Sequence, residues 1–309
     1  PKSLNRDFLR TASKKVALFR LNLSHLNIKS LKKNIIFIRK YTKTPICIDT
    51  EGAQIRTKIA KRKFFKKGKK IEIFKGKKNL YLYPAETKNL IKKGDILDIG
   101  FEGLKIKIIK KKLNNISAAV LTEGWCESSK GVHLINRNIN LNCLTNKDYK
   151  AINLGKKYKI KNYALSFTNS SKDVKTFNRL LPKCKKIFKL ESLSALKNLK
   201  KIIKEGENFL IDRGDLSKSI SLEQIPIAQR RIIKEVRKKR KKVYVATNLL
   251  ESMIFNKSPT RGEVNDIFNI LELGATGLVL AAETAIGNNS INCINYLDKI
   301  IKTYKNYAK

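Results

Sequence analysis

Lys186-Ile-Phe-Lys-Leu-Glu-Ser192 and Phe209-Leu-Ile-Asp-Arg-Gly-Asp215 decide the fold. Each is a short apolar run that breaks off at charged residues. The same design recurs in Val16–Phe19 before Arg20, Ile46–Ile48 before Asp49 and Tyr163–Leu165 before Ser166. It returns in Val243–Ala246, which runs into Thr247, and in Gly277–Leu280, which leads to Glu283. Uninterrupted apolar runs of this length suit strands buried on both faces, as in a parallel sheet.

Helix-like stretches separate the later runs. Leu222–Lys241 carries Ile225, Ala228, Ile232 and Val236 at helical spacing. In Thr260–Leu273, Thr260 stands as N-cap with Glu263 three residues on, and Gly274 follows the end. Ile294–Tyr307 has the spacing of a last helix. Strands alternating with helices imply crossover connections and an α/β fold. Polar residues at the strands' C-terminal ends fit a (β/α)8 TIM-type barrel, whose chemistry sits there. About seven such strands are counted, against the eight of a closed barrel.

Residues 58–136 read differently. Ile71–Phe74, Leu80–Tyr83, Ile96–Ile99, Leu104–Ile109 and Ala118–Leu121 are short and β-type, with Gly or Lys-rich turns between them. The expectation is a barrel interrupted by a small all-β domain. Residues 1–57 and 137–309 then form the two parts of the barrel.

The charge is lopsided: 68 Lys+Arg against 25 Asp+Glu, net +43. Such an excess points toward nucleic acid or another polyanion. Yet lysine outnumbers arginine, Asn and Ile are abundant, and the lysines run along the whole chain. That is the pattern of an A/T-biased genome, with most lysines on solvated faces. No apolar run approaches the roughly 20 residues that cross a bilayer, and no leader pattern opens the chain. The five cysteines form no CxxC pair, which removes sequence support for a zinc site or redox dithiol. The expected location is intracellular and cytoplasmic, with an organelle as the other option. A GxxxxGK[ST] loop, GxGxxG, HExxH and a serine-nucleophile elbow are all missing.

Within a strand, residues i and i+2 share a face, so Lys189 and Glu191 project together. The lysine can meet anionic charge and the carboxylate a metal. With Asp215, Glu191 makes a two-carboxylate site of the kind magnesium uses; the other reading of Asp215 is a helix-capping turn. Arg20, Asn22 and Ser24 share a face, suited to phosphate through Arg20 or to a solvated edge. Asn22, Ser24, Asp49 and Thr50 are hard oxygen donors for a cation. Thr247 can orient a proton or cap a helix.

The segments, in this order, resemble pyruvate kinases along essentially the whole chain. The resemblance rests on Arg20-Leu-Asn-Leu-Ser-His25, Asp49-Thr-Glu-Gly-Ala-Gln-Ile-Arg-Thr57, Lys130-Gly-Val-His-Leu134 and Lys189-Leu-Glu-Ser192. It rests equally on Val245-Ala-Thr-Asn-Leu-Leu-Glu-Ser-Met253, Ser258-Pro-Thr-Arg-Gly-Glu263 and Ala282-Glu-Thr-Ala285. It implies a barrel with a mobile β lid, and transfer of a phosphoryl group from phosphoenolpyruvate to ADP, giving pyruvate and ATP. It implies Lys189 at the transferring phosphoryl, Glu191 and Asp215 on Mg2+ (or Mn2+), and Arg20 on the phosphoryl group. Asn22, Ser24, Asp49 and Thr50 would line a K+ site, and Thr247 would assist protonation. The backbone of Arg213, Gly214 and Asp215 would receive the substrate carboxylate, and Arg56, His25 and Lys130 would lie toward the nucleotide. A homo-oligomer is a further expectation, and a basic RNA-binding paralogue without catalysis is the alternative. The chain departs from the family at Glu51, Gln54, Asn169, Ser217, Asn248 and Ile286. The family's first barrel strand and its C-terminal regulatory domain have no counterpart in the sequence.

Overall fold

Seven parallel strands lie side by side: β1 Phe19–Asn22, β2 Ile46–Asp49, β3 Asn162–Leu165, β4 Lys185–Leu190, β5 Asn208–Asp212, β6 Lys242–Ala246 and β7 Gly277–Val279. The structure is a computed structural model describing residues 1–308 apart from 53, 76–78, 101–102, 113–114, 136, 138 and 140. The sheet order follows the chain, and every pairing is parallel. Among the described residues β1 and β7 are the sheet's edges. The α/β fold with a TIM-type parallel sheet and a β domain is therefore present.

The strands are held by what they bury. Phe188, Phe209, Val243, Val245 and Ile48 are essentially inaccessible, each contributing about 1.5–3 kcal/mol by leaving water. Helix Ile28–Tyr41 joins β1 to β2. Asn27 caps it by accepting from Ser30 N, and Leu31, Ile35 and Ile38 bury one stripe at i, i+4 and i+7. Helix Arg261–Glu272 opens on the expected box: Thr260 accepts from Glu263 N, and the Glu263 carboxylate accepts from Thr260 N. Gly274 follows it with φ +91°, a left-handed stop.

Three boundaries differ from expectation. The first strand starts at Phe19, not Val16, because helix Arg6–Ala12 ends on Ala12, whose carbonyl accepts from Lys15 N and Val16 N. The first bond to the next strand is Phe19 N to Pro45 O. Leu222–Gln224 is a 3-10 turn rather than helix. The α-helix spans Ile225–Lys238 and gives way near Arg240, whose φ is +55°.

The chain divides into two compact units, Pro1–Gly52 with Asn146–Lys309, and Ala53–Thr145. The divisions fall at 52/53 and 145/146 instead of 57/58 and 136/137; residue 136 lies outside the described residues. Strand Ile55–Lys58 explains the first difference: it pairs with Gly131–Leu134 and Tyr81–Tyr83, so it belongs to the β unit.

In that unit a seven-stranded antiparallel sheet runs Lys70–Ile73, Ile116–Thr122, Leu104–Lys111, Ile96–Ile99, Gly131–Leu134, Ile55–Lys58, Tyr81–Tyr83. Its alternating residues, among them Leu97, Ile99, Leu104, Ile106 and Val120, form its own core. A separate ribbon pairs Lys63–Phe65 with Gly124–Cys126. No helix among the described residues is long and apolar enough to cross a membrane.

Candidate active site

The C-terminal ends of β1, β2, β4 and β5 converge, and each delivers a charge. Arg20 lies within β1 and Asp49 ends β2. Lys189 lies near the end of β4 with Glu191 just beyond it, and Asp212 ends β5. Strand register fixes these meetings: Arg20 pairs with Cys47, Asn22 with Asp49, and Asp212 with Ala246.

Lys189 is the hub, only 3% exposed. Its Nζ stands 3.0 Å from Glu191 Oε2, 3.2 Å from Asp212 Oδ2 and 3.6 Å from Asp49 Oδ2, and donates to Ser166 Oγ at 3.2 Å. Arg20 Nη1 lies 3.2 Å from Asp49 Oδ2. Ser166 Oγ in turn donates to Asp49 Oδ1 at 3.1 Å. Burial alone disfavours the charged form of Lys189. Asp49, Glu191 and Asp212 outweigh burial and hold the ammonium well above its ordinary pKa. Arg20 is likewise opposed by burial and rescued first by Asp49, then by Asp212. Burial pushes against the Asp212 carboxylate too, yet Lys189 and Arg20 keep it below its usual range.

Glu191 goes the other way. Burial, with Asp215 and Asp212 close by, raises its carboxyl despite Lys189. One oxygen accepts from Phe167 N at 2.6 Å; the other, Oε2, is fully buried and makes no well-aligned hydrogen bond, although Lys189 Nζ lies 3.0 Å away. Carboxylate oxygens of Glu191, Asp212 and Asp215 lie within 4.8 Å of one another. Excess buried acid, an oxygen without a well-aligned hydrogen bond and an all-carboxylate donor set fit a hard divalent cation. Asp215 Oδ1 also receives Lys218 at 2.8 Å.

Thr247 does not cap a helix. It follows β6 with φ +71°, and Asn248 has φ +53°, left-handed geometry that costs a β-branched residue on the order of 1–3 kcal/mol. The turn places Thr247 Oγ1 to accept from Gly214 N at 2.8 Å. Arg213 locks the turn, donating to Thr247 O at 3.0 and 2.6 Å and pairing with Asp266 at 2.6 Å. Asp215 sits in the short helix Arg213–Leu216, and its own amide serves the Asp212 carboxylate.

Of the oxygen donors expected for a monovalent cation, Asn22 Oδ1 accepts from Ser24 N at 2.9 Å and Thr50 Oγ1 from Ser166 N at 3.0 Å. They adjoin Asp49 through the β1–β2 pairing. Gly52 follows with φ +70°, and a Cβ there would meet Ser166 at 2.7 Å, so only glycine fits this approach. Glu51 is buried and pairs with Lys147 at 2.9 Å. His25 is exposed at the end of the 3-10 turn Leu23–His25 that follows β1. Arg56 and Lys130 belong to the β unit, where Arg56 donates to Ser129 O at 3.3 Å and Lys130 pairs with Glu127 at 3.0 Å. Asn169, at a departure from the family pattern, accepts from Ser192 Oγ at 2.5 Å.

Sequence reading missed Asp212 and Ser166. Asp212 shares the face of Leu210 by alternation and precedes Asp215 by three residues, a usable signal. Ser166 carries the weaker signal of a polar residue ending the Tyr163–Leu165 run, and packing brings it between Asp49 and Lys189.

A sequence model described as "Pyruvate kinase, barrel domain" matches residues 1–294. The chain belongs to the pyruvate kinase family. It is 32% identical over 303 residues to the pyruvate kinase of Thermotoga maritima, covering 93% of this chain and 65% of that protein. The Methanocaldococcus jannaschii pyruvate kinase is 32% identical over 289 residues, 92% of this chain and 63% of that one. A plastidial pyruvate kinase of Arabidopsis thaliana is 28% identical over 97% of this chain and 56% of its own length. The crystal structure of a pyruvate kinase from Cryptosporidium parvum superposes with a TM-score of 0.83 at 25% identity, covering 99% of this chain and 68% of that one. The chain thus spans less than two thirds of the length of these curated pyruvate kinases.

Proposed function

We propose that the chain transfers the phosphoryl group of phosphoenolpyruvate to ADP, giving pyruvate and ATP, with Mg2+ or Mn2+ at Glu191, Asp212 and Asp215. The observation that carries this reading is Lys189, buried yet kept charged by the carboxylates around it. Phosphoryl transfer asks mainly for positioning and positive charge where negative charge develops. Lys189 and Arg20 supply that charge, both held at Asp49 Oδ2. The divalent cation supplies Lewis-acid neutralisation of phosphoryl and enolate oxygens.

In this reading the bond from phosphorus to the enol oxygen breaks as a terminal oxygen of ADP bonds to phosphorus. The resulting enolate takes a proton at its methylene carbon. The substrate carboxylate takes the amide of Gly214 from Thr247, which frees that hydroxyl to guide the proton. Asn22, Ser24, Asp49 and Thr50 would hold a potassium ion beside Arg20, and His25 would serve the nucleotide. The reaction belongs to glycolysis, and the proposed setting is the cytoplasm or an organelle.

Pyruvate formation from phosphoenolpyruvate and ADP, measured with and without Mg2+ and K+, tests the reading. Turnover that needs the divalent ion and disappears in Lys189→Met is expected. Folded protein that makes no pyruvate under any of these conditions overturns it.

A further inference from the structure

The ribbon of Lys63–Phe65 with Gly124–Cys126 carries a feature that phosphotransfer does not use. Its register places Phe64 directly opposite Trp125, so both rings leave the same face. They meet edge to face at 5.3 Å, and both stay in solvent, Phe64 at 37% and Trp125 at 48% exposure. The Arg62 guanidinium stacks on the Trp125 ring at 4.3 Å. Trp125 is the chain's single tryptophan. One residue along, Phe65 turns inward and is buried.

The strand lies in Lys61-Arg-Lys-Phe-Phe-Lys-Lys-Gly-Lys-Lys70, where seven of ten residues are cationic and none is acidic. All of these cations are exposed. Among the described residues none of the seven is in an ion pair with a carboxylate. A lysine-rich genome accounts for scattered lysines. It does not account for two aromatic rings set in register on the outer face of a ribbon, with an arginine stacked on them. Stacking rings set in a field of unpaired positive charge match single-stranded nucleic acid, whose bases stack on aromatics while its phosphates follow the cations. A membrane surface would use the charge but would want the aromatics at the rim of an apolar face, and here lysines surround them. Glu123 and Glu127 lie just outside the Gly124–Cys126 strand on either side of Trp125, which directs the phosphates to the Lys61–Lys70 side.

We infer that the Phe64–Trp125 ribbon, with Arg62 and the cations of residues 61–70, is a binding site for single-stranded nucleic acid. The inference stands independently of the proposed phosphotransfer. A strand of RNA stacks a base on the exposed ring face and edge of the pair and lays its backbone along Lys66 and Lys67.

The experiment titrates the full chain with a single-stranded 12-mer RNA, following Trp125 emission and, separately, anisotropy of the labelled RNA. Quenching of Trp125 is expected in the parent protein. Trp125→Ala and Phe64→Ala should each weaken binding roughly 5- to 100-fold, the range for loss of a stacked base. Contact with about four phosphates should weaken binding roughly 50-fold between 50 and 200 mM salt, from a slope near −0.7 per phosphate on single strands. Trp125→Phe should restore most of the affinity, which separates stacking from a folding defect. Inorganic polyphosphate, a polyanion without bases, should leave Trp125 emission unchanged. RNA binding that is indifferent to both alanine variants, or equal quenching by polyphosphate, overturns the inference. So does tighter binding to phosphatidylserine vesicles than to the RNA.

Discussion

At the C-terminal edge of the parallel sheet, charge goes inside; in the β unit it stays out. Lys189, Glu191, Asp49 and Asp212 are all buried together. In strand Leu104–Lys111, by contrast, Leu104, Ile106 and Ile108 fill the core while Lys105, Lys107 and Lys110 face outward. The residue type is the same and the treatment is opposite. A buried ion survives only where partners repay its lost hydration, and the barrel assembles those partners from four separate strands. That arrangement sacrifices stability for a prepared field. The β unit buries a paired charge at Asp95, which Arg137 grips through two contacts of 2.7 Å.

The strongest way to break this comparison is to remove a lysine from each region. Lys189→Met leaves Asp49, Glu191 and Asp212 with Arg20 as their remaining nearby cation, and should cost about 3–5 kcal/mol of stability along with turnover. Lys107→Met, exposed on its strand, should stay within about 0.5 kcal/mol. Urea unfolding of both variants measures the pair. Equal losses would mean that burial of charge does not distinguish the regions.

Asp212→Asn sharpens the account of the barrel site. If Asp212 helps to hold a divalent ion, its amide variant should lose at least the roughly 10-fold in Mg2+ affinity that even outer-shell changes produce. Calorimetric titration with Mg2+ alone checks it, without reference to turnover. Unchanged affinity would return Asp212 to the role of a counter-ion for Lys189.

The β unit's exception gives a pH test. Burial opposes the Asp95 charge, but Arg137 and the amide of Lys92 hold its carboxyl below the ordinary 3.8. A depressed native pKa means the contribution is complete above the unfolded value and fades as pH falls through the native one. Arg137→Gln should therefore cost about 2 kcal/mol at neutral pH, as for a hydrogen bond to a charged group. The difference between variant and parent should shrink near pH 3. Urea midpoints followed by Trp125 emission, a reporter within this unit, give both values.

How far the sequence alone reached follows the same division. Apolar runs that stop at charged or hydroxyl residues revealed β2 to β6 because strands buried on both faces leave an unbroken local signature. The Thr260–Glu263 box and Gly274 were legible because a cap depends on three or four neighbouring residues. Strands Lys63–Phe65 and Gly124–Cys126 went unread: each is three residues long, and lysines surround the first, so only their pairing identifies them. Thr247 carried two readings, a proton-orienting hydroxyl and a helix cap, because Thr before a helix is often a cap. Its left-handed backbone is imposed by Arg213 from another strand end, which no local pattern announces. Asp212 was visible as a charge at a strand end, but its tie to Lys189 depends on β4 lying beside β5.

The smallest predicted effect separates adjacent residues. Phe64 and Phe65 have the same side chain on opposite faces of one ribbon. Phe65 is 6% exposed within the β unit's core, so Phe65→Ala removes packing and opens a cavity, for a cost of about 3–5 kcal/mol. Phe64 is 37% exposed and meets Trp125 across the strands, a contribution of about 0.2–1 kcal/mol, so Phe64→Ala should shift the urea midpoint little. A core role for Phe64 would give it a penalty near that of Phe65, and the ribbon's aromatics would then be explained by folding alone. A small penalty joined to weakened RNA binding would mean that the ring is kept outside for what it contacts there, as Lys189 is kept inside for what surrounds it.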